Sequence, residues 1–194
     1  MNHWYWAVSC DNTVEDPLVV DSADLGMDPD RLDAGEPVER WSELAWLRAK
    51  KLENDGVPDD VLQNHLGIPV YSNRLRAALE RAVVQGIQYL PIRLFRPSGQ
   101  EISGFSVANI IEKRRALDRT RSTYDVFPDD YFLTDRRGGV RSIRVATLRA
   151  EALTGCDIVR LEEFPSSIYV SERFTKTFNK GGHTGYSFRE VSLS

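Results

Sequence analysis

Hydrophobic and polar positions along the chain fall into short patterns that predict strands more often than helices. The alternation in residues 4–9 (WYWAVS) predicts an opening strand with Trp4 and Trp6 on one face and Tyr5 on the other. Further apolar runs predict strands at residues 102–111, 140–148 and 158–161. Residues 41–52 predict a helix from their composition and spacing. Because these elements are grouped unevenly instead of alternating, the chain predicts an α+β fold with mixed or antiparallel sheets.

Two segments, residues 71–94 and 170–193, align without gaps and share one physical pattern. The identical positions are Ser72 and Ser171, Arg74 and Arg173, Gly86 and Gly185, and Leu94 and Leu193. Each serine predicts a helix N-cap, and apolar residues four apart then predict a buried helical face. A glycine that can take the left-handed conformation predicts the helix end, and the alternation after it predicts a half-buried strand. The sequence therefore predicts a helix–glycine turn–strand unit that is used twice.

Residues 11–36 differ from the rest of the chain in charge, since nine acidic residues against one arginine leave −8. The segment predicts an exposed loop with a short strand at residues 17–20. This charge would attract a basic partner and speed the encounter, and no folding role for it is evident from the sequence. The residues predicted to contact such a partner are Asp24, Asp28, Asp30, Asp33 and Glu36. A merely solvated acidic loop is the competing interpretation.

The composition is that of an ordinary globular chain, with 41% hydrophobic and 28% charged residues among 194. This length suits one domain, in which residues 1–57 hold the first strand and the acidic segment and residues 58–194 form the remainder. The net charge of −4 gives the molecule no electrostatic reason to bind nucleic acid.

Neither a secretory signal nor a membrane span is evident in the sequence. The first residues lack the features of a signal peptide, and no segment approaches the roughly 20 apolar residues of a membrane span. Cys10 and Cys156 form no C-x-x-C pair, which favours thiols in a reducing compartment, although a distant bridge between them stays open. We therefore expect a soluble, cytoplasmic protein with no membrane partner.

The strongest candidate for a nucleophile is Ser106, within residues 104–108 (GFSVA). This run departs by one residue from the G-x-S-x-G nucleophile elbow, which needs a buried strand before the serine and a helix after it. The preceding residues 97–101 are polar, and His183 is the one histidine downstream that could complete a triad. A strand with alternating small residues is the better interpretation, and a hydrolase-like enzyme using Ser106 is kept as an alternative.

Metal and cofactor sites find little support in the sequence. A calcium loop starting at Asp21 has Gly26 at its sixth place, but Ala23, Leu25 and Leu32 occupy positions that need oxygen ligands. The three histidines show no zinc-site spacing, and we expect no metal or cofactor. An enzyme that uses a metal held by carboxylates of the acidic run is kept as an alternative beside the one that uses Ser106. Residues 181–185 (GGHTG) follow a helix instead of opening one, so they predict a helix stop and not a phosphate cradle. The basic run at residues 136–144 predicts a hairpin tip.

The C-terminal third carries the motif by which the chain resembles a known family. This motif runs from DIVRLEEFPSS at residues 157–167 through IYVSERF at residues 168–174 to TGYSF at residues 184–188. In it the chain resembles the eleventh predicted immunity-protein family of bacterial polymorphic toxin systems, formerly a domain of unknown function. The resemblance covers residues 58–191. One departure is His183, which stands after two glycines where the family tends to carry an apolar residue.

The resemblance implies an α+β protein that neutralises a cognate toxin encoded by an adjacent gene. Members of the family act stoichiometrically, by covering the active site of the toxin or locking its shape, without chemistry of their own. The resemblance thus implies a protein partner and no catalytic residues. A non-inhibitory adaptor that pairs with a secreted effector remains a second alternative.

Overall fold

The computed structural model describes residues 3–9, 18–50 and 56–194 of the chain. Within these residues three α-helices form, α1 (Pro29–Asp33), α2 (Asn73–Arg81) and α3 (Glu172–Lys180). None of the helices in this described part is long and apolar enough to cross a membrane.

The described residues also form two short 3-10 helices, at Thr134–Arg136 and Ala150–Leu153, and sixteen strands. In chain order they are β1 (Trp4–Ser9), β2 (Val19–Asp24), β3 (Trp46–Ala49), β4 (Gln63–Asn64), β5 (Val70–Ser72), β6 (Ile87–Pro91), β7 (Arg93–Phe95), β8 (Glu101–Ile102), β9 (Phe105–Ile110), β10 (Lys113–Arg114), β11 (Thr123–Val126), β12 (Val140–Val145), β13 (Thr147–Leu148), β14 (Ile158–Leu161), β15 (Phe164–Ser171) and β16 (Tyr186–Leu193). Strands and helices are not in regular alternation, and the α+β class is confirmed.

The largest sheet has six strands in the order β10-β14-β15-β1-β16-β13. Strand β1 lies near its centre and pairs antiparallel with both β15 and β16, so that Trp4 is opposite Ser171 on one side and Val191 on the other. Trp4 and Trp6 contact one hydrophobic cluster, whereas Tyr5 and Ala7 contact another. The predicted division of β1 into two faces is confirmed, and each face meets its own core.

Three smaller sheets complete the fold. The five-stranded sheet has the order β4-β2-β3-β7-β8, the three-stranded sheet the order β5-β9-β6, and strands β11 and β12 form a two-stranded ribbon. Parallel and antiparallel pairs occur together in the five-stranded and six-stranded sheets, so the prediction of mixed or antiparallel sheets is confirmed. Helices α2 and α3 contribute the buried side chains of Leu75, Leu79, Phe174 and Phe178 to one common core.

The serine caps begin both of the longer helices as the sequence predicts. The Ser72 hydroxyl accepts a hydrogen bond from Leu75 N at 3.1 Å, and the Ser171 hydroxyl accepts one from Phe174 N at 3.3 Å. The prediction of the helix ends from Gly86 and Gly185 is wrong, because α2 and α3 end earlier, at Arg81 and Lys180. Each of the two glycines instead stands directly before a strand, β6 or β16.

The prediction of a helix over residues 41–52 is wrong, because the central residues of this range form strand β3. Leu47 and Ala49 are buried while Arg48 between them is exposed, which is the alternation of a strand with one buried face. Strand β3 pairs with β2 on one side and with β7 on the other. These long-range hydrogen bonds override a composition that favours a helix when it is read locally.

The acidic segment holds more structure than the predicted loop. The short strand predicted at residues 17–20 is in fact β2, which extends to Asp24, and α1 follows it. Leu25 and Leu32 are buried in the core beneath the five-stranded sheet. Residues 11–17 of this segment lie outside the described residues.

The predictions for the remaining strands are largely confirmed. Residues 158–161 form β14 with the predicted bounds, and residues 140–148 are divided between β12 and β13. Residues 102–111 are divided at Gly104, between β8 and β9. In the basic stretch after residue 113, Ala116 and Leu117 are fully buried.

Candidate functional site

The start of helix α2 is bound to an upstream aspartate, and we call Asp60, Ser72 and Arg74 the closed clamp. The Ser72 hydroxyl donates to Asp60 Oδ1. Arg74 donates to the same carboxylate through Nε, at 3.2 Å, and through Nη2. The main chains are joined as well, since Ser72 N donates to the Asp60 carbonyl oxygen at 2.8 Å.

Residues 181–184, between α3 and β16, cover this clamp, and we call them the covering loop. Arg74 Nη1 donates to the Gly181 carbonyl at 2.9 Å and Nη2 donates to the Gly182 carbonyl at 3.0 Å. Thr184 N donates to Asp60 Oδ2 at 3.2 Å, and the Thr184 hydroxyl accepts from Asp60 N. The covering loop therefore satisfies both partners of the ion pair.

His183 of the covering loop is the residue that departs from the resembled family, and it is buried against the clamp. Its Nδ1 lies 3.2 Å from Asp60 Oδ2, and its side chain is 2% exposed. The imidazole also packs on the Phe178 ring, with centroids 5.6 Å apart. The sequence did not indicate how His183 packs at the end of α3. In the structure its side chain is buried between Asp60 and Phe178.

The closed clamp keeps the Asp60 carboxyl ionised. Burial by itself would raise the pKa of Asp60, but hydrogen bonds from Arg74 and Ser72 and the charges of Arg74 and His183 outweigh it. The pKa of Asp60 therefore lies below its ordinary value of 3.8. The side chain is 6% exposed, so an ionised carboxylate here depends on these partners.

Gly185 lets the chain pass close to Val61, the residue that follows Asp60 of the closed clamp. Val61 N donates to the Thr184 carbonyl at 3.0 Å, which brings the two backbones together. Gly185 has a φ of +97°, and a Cβ at this position would overlap the Val61 carbonyl oxygen. A glycine is therefore required here for both conformation and space.

The start of helix α3 carries the same three residue types, and we call Asp157, Ser171 and Arg173 the open clamp. The Ser171 hydroxyl donates to Asp157 Oδ1 at 2.6 Å, and Arg173 Nη1 donates to Asp157 Oδ2 at 3.2 Å. Ser171 N donates to the Asp157 carbonyl at 2.8 Å, as Ser72 N does to Asp60. The Arg173 side chain is 61% exposed, close to the 57% of Arg74, but within the described chain it donates to no main-chain carbonyl as Arg74 does to those of Gly181 and Gly182.

A cleft of about 890 Å³ opens beside the open clamp. Its apolar lining includes Trp4, Leu153 and Leu193, and the thiol of Cys156 lies in it as well. The charged side chains at the cleft are paired, Asp157 with Arg173 and Glu172 with Lys176. Cys156 is a free cysteine, and Cys10 lies outside the described residues.

The acidic residues predicted to contact a partner hold local structure together, contrary to the expectation that they have no folding role. Asp24 accepts from Gly26 N at 2.9 Å, and Asp28 caps α1 by accepting from Asp30 N at 3.0 Å. Glu36 forms an ion pair with Arg31 at 2.8 Å. The Asp30 side chain is exposed and makes no hydrogen bond or ion pair with any other described residue.

Asp33 joins the acidic segment to the C-terminal part of the chain. It accepts from the Ser166 hydroxyl at 2.7 Å and lies 3.6 Å from Nη1 of Arg160, which is fully buried. Arg160 also donates to the Pro165 carbonyl at 2.6 Å and to the Leu32 carbonyl at 3.3 Å. Burial lowers the pKa of Arg160, and the Asp33 carboxylate opposes that shift. Asp33 thus compensates a buried charge.

Ser106 does not lie at a nucleophile elbow. It lies within β9, which pairs with β5 and β6 so that Ser106 is opposite Tyr71 on one side and Pro91 on the other. The residue is buried and is followed by more strand instead of a helix. The geometry that would present a serine at a strand-to-helix turn is therefore missing at this position.

Other candidate chemistry is also absent from residues 3–9, 18–50 and 56–194. No group of three His, Cys, Asp or Glu side chains in this part of the chain could hold a metal ion. The basic run at residues 136–144 covers the tip of the ribbon and the strand β12, as the sequence predicts. One of its arginines, Arg144, is paired with Asp125 across the ribbon at 3.0 Å.

Sequence reasoning missed Asp60 and Asp157. Each aspartate stands before an apolar residue, Val61 or Ile158, that pairs with the residue before the capping serine. An alignment that continued upstream with a small gap would have found both, because 12 residues separate Asp60 from Ser72 and 14 separate Asp157 from Ser171. The signal was in the sequence, but the gap-free comparison stopped short of it.

Comparisons with known proteins identify a family for almost the entire chain. The model of a family described as immunity protein family (Imm11) matches residues 2–192. A search of curated proteins finds no match. The family match covers the two clamps, the acidic segment and the cleft except for Leu193 and Ser194.

Proposed function

The chain belongs to the Imm11 immunity protein family, and from that premise we propose that it binds a cognate toxin and neutralises it without catalysis. The observation that carries this proposal is the family match over residues 2–192. The toxin is a protein encoded by an adjacent gene. Neutralisation follows from covering the toxin surface, so one immunity protein is used for each toxin molecule.

The buried position of Ser106 favours inhibition by binding and argues against a hydrolase that uses this serine. A nucleophile must reach its substrate, and this side chain lies within a paired strand. The variant Ser106→Ala therefore retains protection against the toxin. Loss of protection in a Ser106→Ala protein that is still folded would favour the hydrolase instead.

We propose further that Asp24, Asp28, Asp30, Asp33 and Glu36 contribute to docking a basic toxin surface. Asp24, Asp28 and Asp30 are exposed, and long-range attraction by such charges speeds association. Asp33 and Glu36 are half-buried and are also paired within the chain, so their part in docking is the smaller one.

The docking proposal is tested by a variant that removes charge and keeps the local hydrogen bonds. Asparagine retains an acceptor oxygen and is an equally good helix cap, so Asp24→Asn, Asp28→Asn and Asp30→Asn are combined while Asp33 and Glu36 are left intact. We expect toxin association to slow by about fivefold at low salt and the difference to shrink at high salt. An unchanged association rate would end the docking proposal and leave the solvated-loop interpretation.

Co-expression with the product of the adjacent gene tests the proposed function itself. We expect the chain to restore growth of cells that make the toxin and to copurify with it in a one-to-one complex. Failure to restore growth contradicts neutralisation. Copurification without rescue supports a non-inhibitory adaptor.

Two further features of the expected protein are part of the proposal. We propose that it acts in the cytoplasm, which is supported by Cys156 being a free thiol. We also propose that residues 71–94 and 170–193 are one unit used twice, which is supported by the common residue types of the closed and open clamps.

A further inference from the structure

The two clamps share their residues but differ in how completely the arginine is used. Arg74 donates through Nε, Nη1 and Nη2, to Asp60 and to the carbonyls of Gly181 and Gly182. Arg173 donates to Asp157 through Nη1. Where the covering loop lies against Arg74, the cleft lies against Arg173. The closed clamp therefore shows what kind of group fits beside the open one.

We propose that the cleft beside the open clamp receives a loop of the toxin, whose main-chain carbonyl oxygens accept hydrogen bonds from Arg173. This inference rests on the proposed function, because the toxin supplies the loop. In that toxin loop, small residues lie next to the guanidinium group of Arg173, as Gly181 and Gly182 of the covering loop lie next to that of Arg74. An apolar side chain of the same toxin loop fills the lining formed by Trp4, Leu153 and Leu193.

The size and charge of the cleft fit such a loop. Its volume of about 890 Å³ lies within the roughly 300–1,000 Å³ of sites that bury most of a bound group. Because Arg173 and Lys176 are each paired with a carboxylate, the cleft offers hydrogen-bond donors without a strong net charge. This balance suits uncharged main-chain carbonyls and apolar side chains better than a phosphate-rich polymer or a strongly charged segment.

Binding through this cleft differs physically from attraction by the acidic segment. Exposed charges mainly alter the association rate and lose effect in salt, whereas a filled cleft slows dissociation. A side chain that enters a desolvated pocket is the usual centre of a protein interface. The cleft is therefore expected to determine how long the toxin stays bound, even at high salt.

The first test compares variants in binding to the toxin that the wild-type chain neutralises. We expect Arg173→Ala to weaken binding about tenfold or more, mainly through faster dissociation. Arg81→Ala, an exposed arginine at the end of α2, is the control and leaves the dissociation constant unchanged. A dissociation constant for Arg173→Ala within twofold of the wild-type value would overturn the inference.

The second test requires no variant at the clamp and uses Cys156 as a reporter inside the cleft. In the Cys10→Ser protein, Cys156 is the single thiol, and its rate of alkylation by iodoacetamide is measured with and without the toxin. We expect the toxin to slow alkylation about tenfold, because the docked loop covers the cleft. An equal rate in the complex excludes occupation of the cleft. If alkylation of Cys156 slows as the concentration of this chain rises in the absence of the toxin, a second copy of the chain occupies the cleft. That result also overturns the inference.

These tests separate failure of the inference from failure of the proposed function. If the wild-type chain protects cells and binds the toxin while Arg173→Ala and the alkylation rate show no effect, the cleft is not the docking site and neutralisation still stands. If the wild-type chain neither protects cells nor binds the toxin, both proposals fail together.

Discussion

Helices α2 and α3 begin in the same way, but in one case the chain covers the helix start and in the other it leaves a cleft. The Asp60 carboxylate is almost fully enclosed, whereas the Asp157 side chain is 13% exposed and its arginine faces the cleft. Both arginines are more than half exposed, so the two clamps differ mainly in the extra bonds from Arg74 and Thr184 that residues 181–184 bring to the closed clamp. Removing a partner of a nearly buried carboxylate costs more when that carboxylate has more hydrogen-bond donors. The same three residue types are therefore joined to a further segment of the chain at one helix and lie beside a cleft at the other.

The largest difference is expected between Asp60→Ala and Asp157→Ala. Asp60→Ala leaves Arg74, Ser72 and Thr184 N without their acceptor, and we expect a loss of about 3–4 kcal/mol in the free energy of unfolding. Asp157→Ala removes a less enclosed carboxylate and is expected to lose about 1–2 kcal/mol. Urea unfolding measures both, and equal losses would mean that enclosure by the covering loop is irrelevant.

A matched pair of glycine substitutions tests the covering loop itself. Gly185→Ala places a Cβ against the Val61 carbonyl in addition to the strain of its φ of +97°, and we expect a loss of about 2–3 kcal/mol. Gly155, at the cleft, has a φ of +79° but open space around it, so Gly155→Ala is expected to lose about 1 kcal/mol. Thermal unfolding of both variants gives the comparison, and a larger loss for Gly155→Ala contradicts it.

Replacing the two arginines separates stability from binding. Arg74→Ala removes hydrogen bonds to Asp60 and to two carbonyls, and we expect a loss of about 1–2 kcal/mol of stability, reduced by the 57% exposure of its side chain. Arg173→Ala is expected to change stability by less than about 0.5 kcal/mol while weakening toxin binding. Equal destabilisation by Arg173→Ala and Arg74→Ala would contradict the claim that the two arginines differ in their contribution to stability.

The smallest expected effect is a dependence of stability on acid. Because the folded-state pKa of Asp60 is lowered, its contribution is complete above the unfolded-state pKa and is lost as the pH falls through the folded-state pKa. The wild-type chain should therefore lose more stability than Asp60→Ala when the pH is lowered from about 5 to about 3. Parallel stability curves for the two proteins would show that Asp60 titrates as it does in the unfolded chain.

The sequence predicts local features of this fold well. Ser72 and Ser171 begin their helices as expected, since a cap is determined by a few neighbouring residues. Strand β14 has the predicted bounds because its apolar run is buried throughout. Strand β3 was mistaken for a helix, because its pairing with β2 and β7 depends on residues distant in the sequence.

The candidate site was less accessible to sequence reasoning than the fold. The cleft is lined by residues from β1, from residues 150–157, from α3 and from β16. No local sequence pattern predicts that these four segments come together in the fold. The acidic residues were found by their charge, but charge alone does not reveal that Asp33 compensates the buried Arg160. Partnerships of this kind depend on tertiary packing, so a list of acidic residues cannot distinguish structural from exposed carboxylates.

The position of β1 between β15 and β16 has a consequence for synthesis in the cell. The strand formed by the earliest described residues gains its two neighbours only after residues 164–193 have left the ribosome. Contacts this distant in sequence slow folding. A nascent chain that lacks residues 164–193 would therefore lack the central strand pairing of the six-stranded sheet.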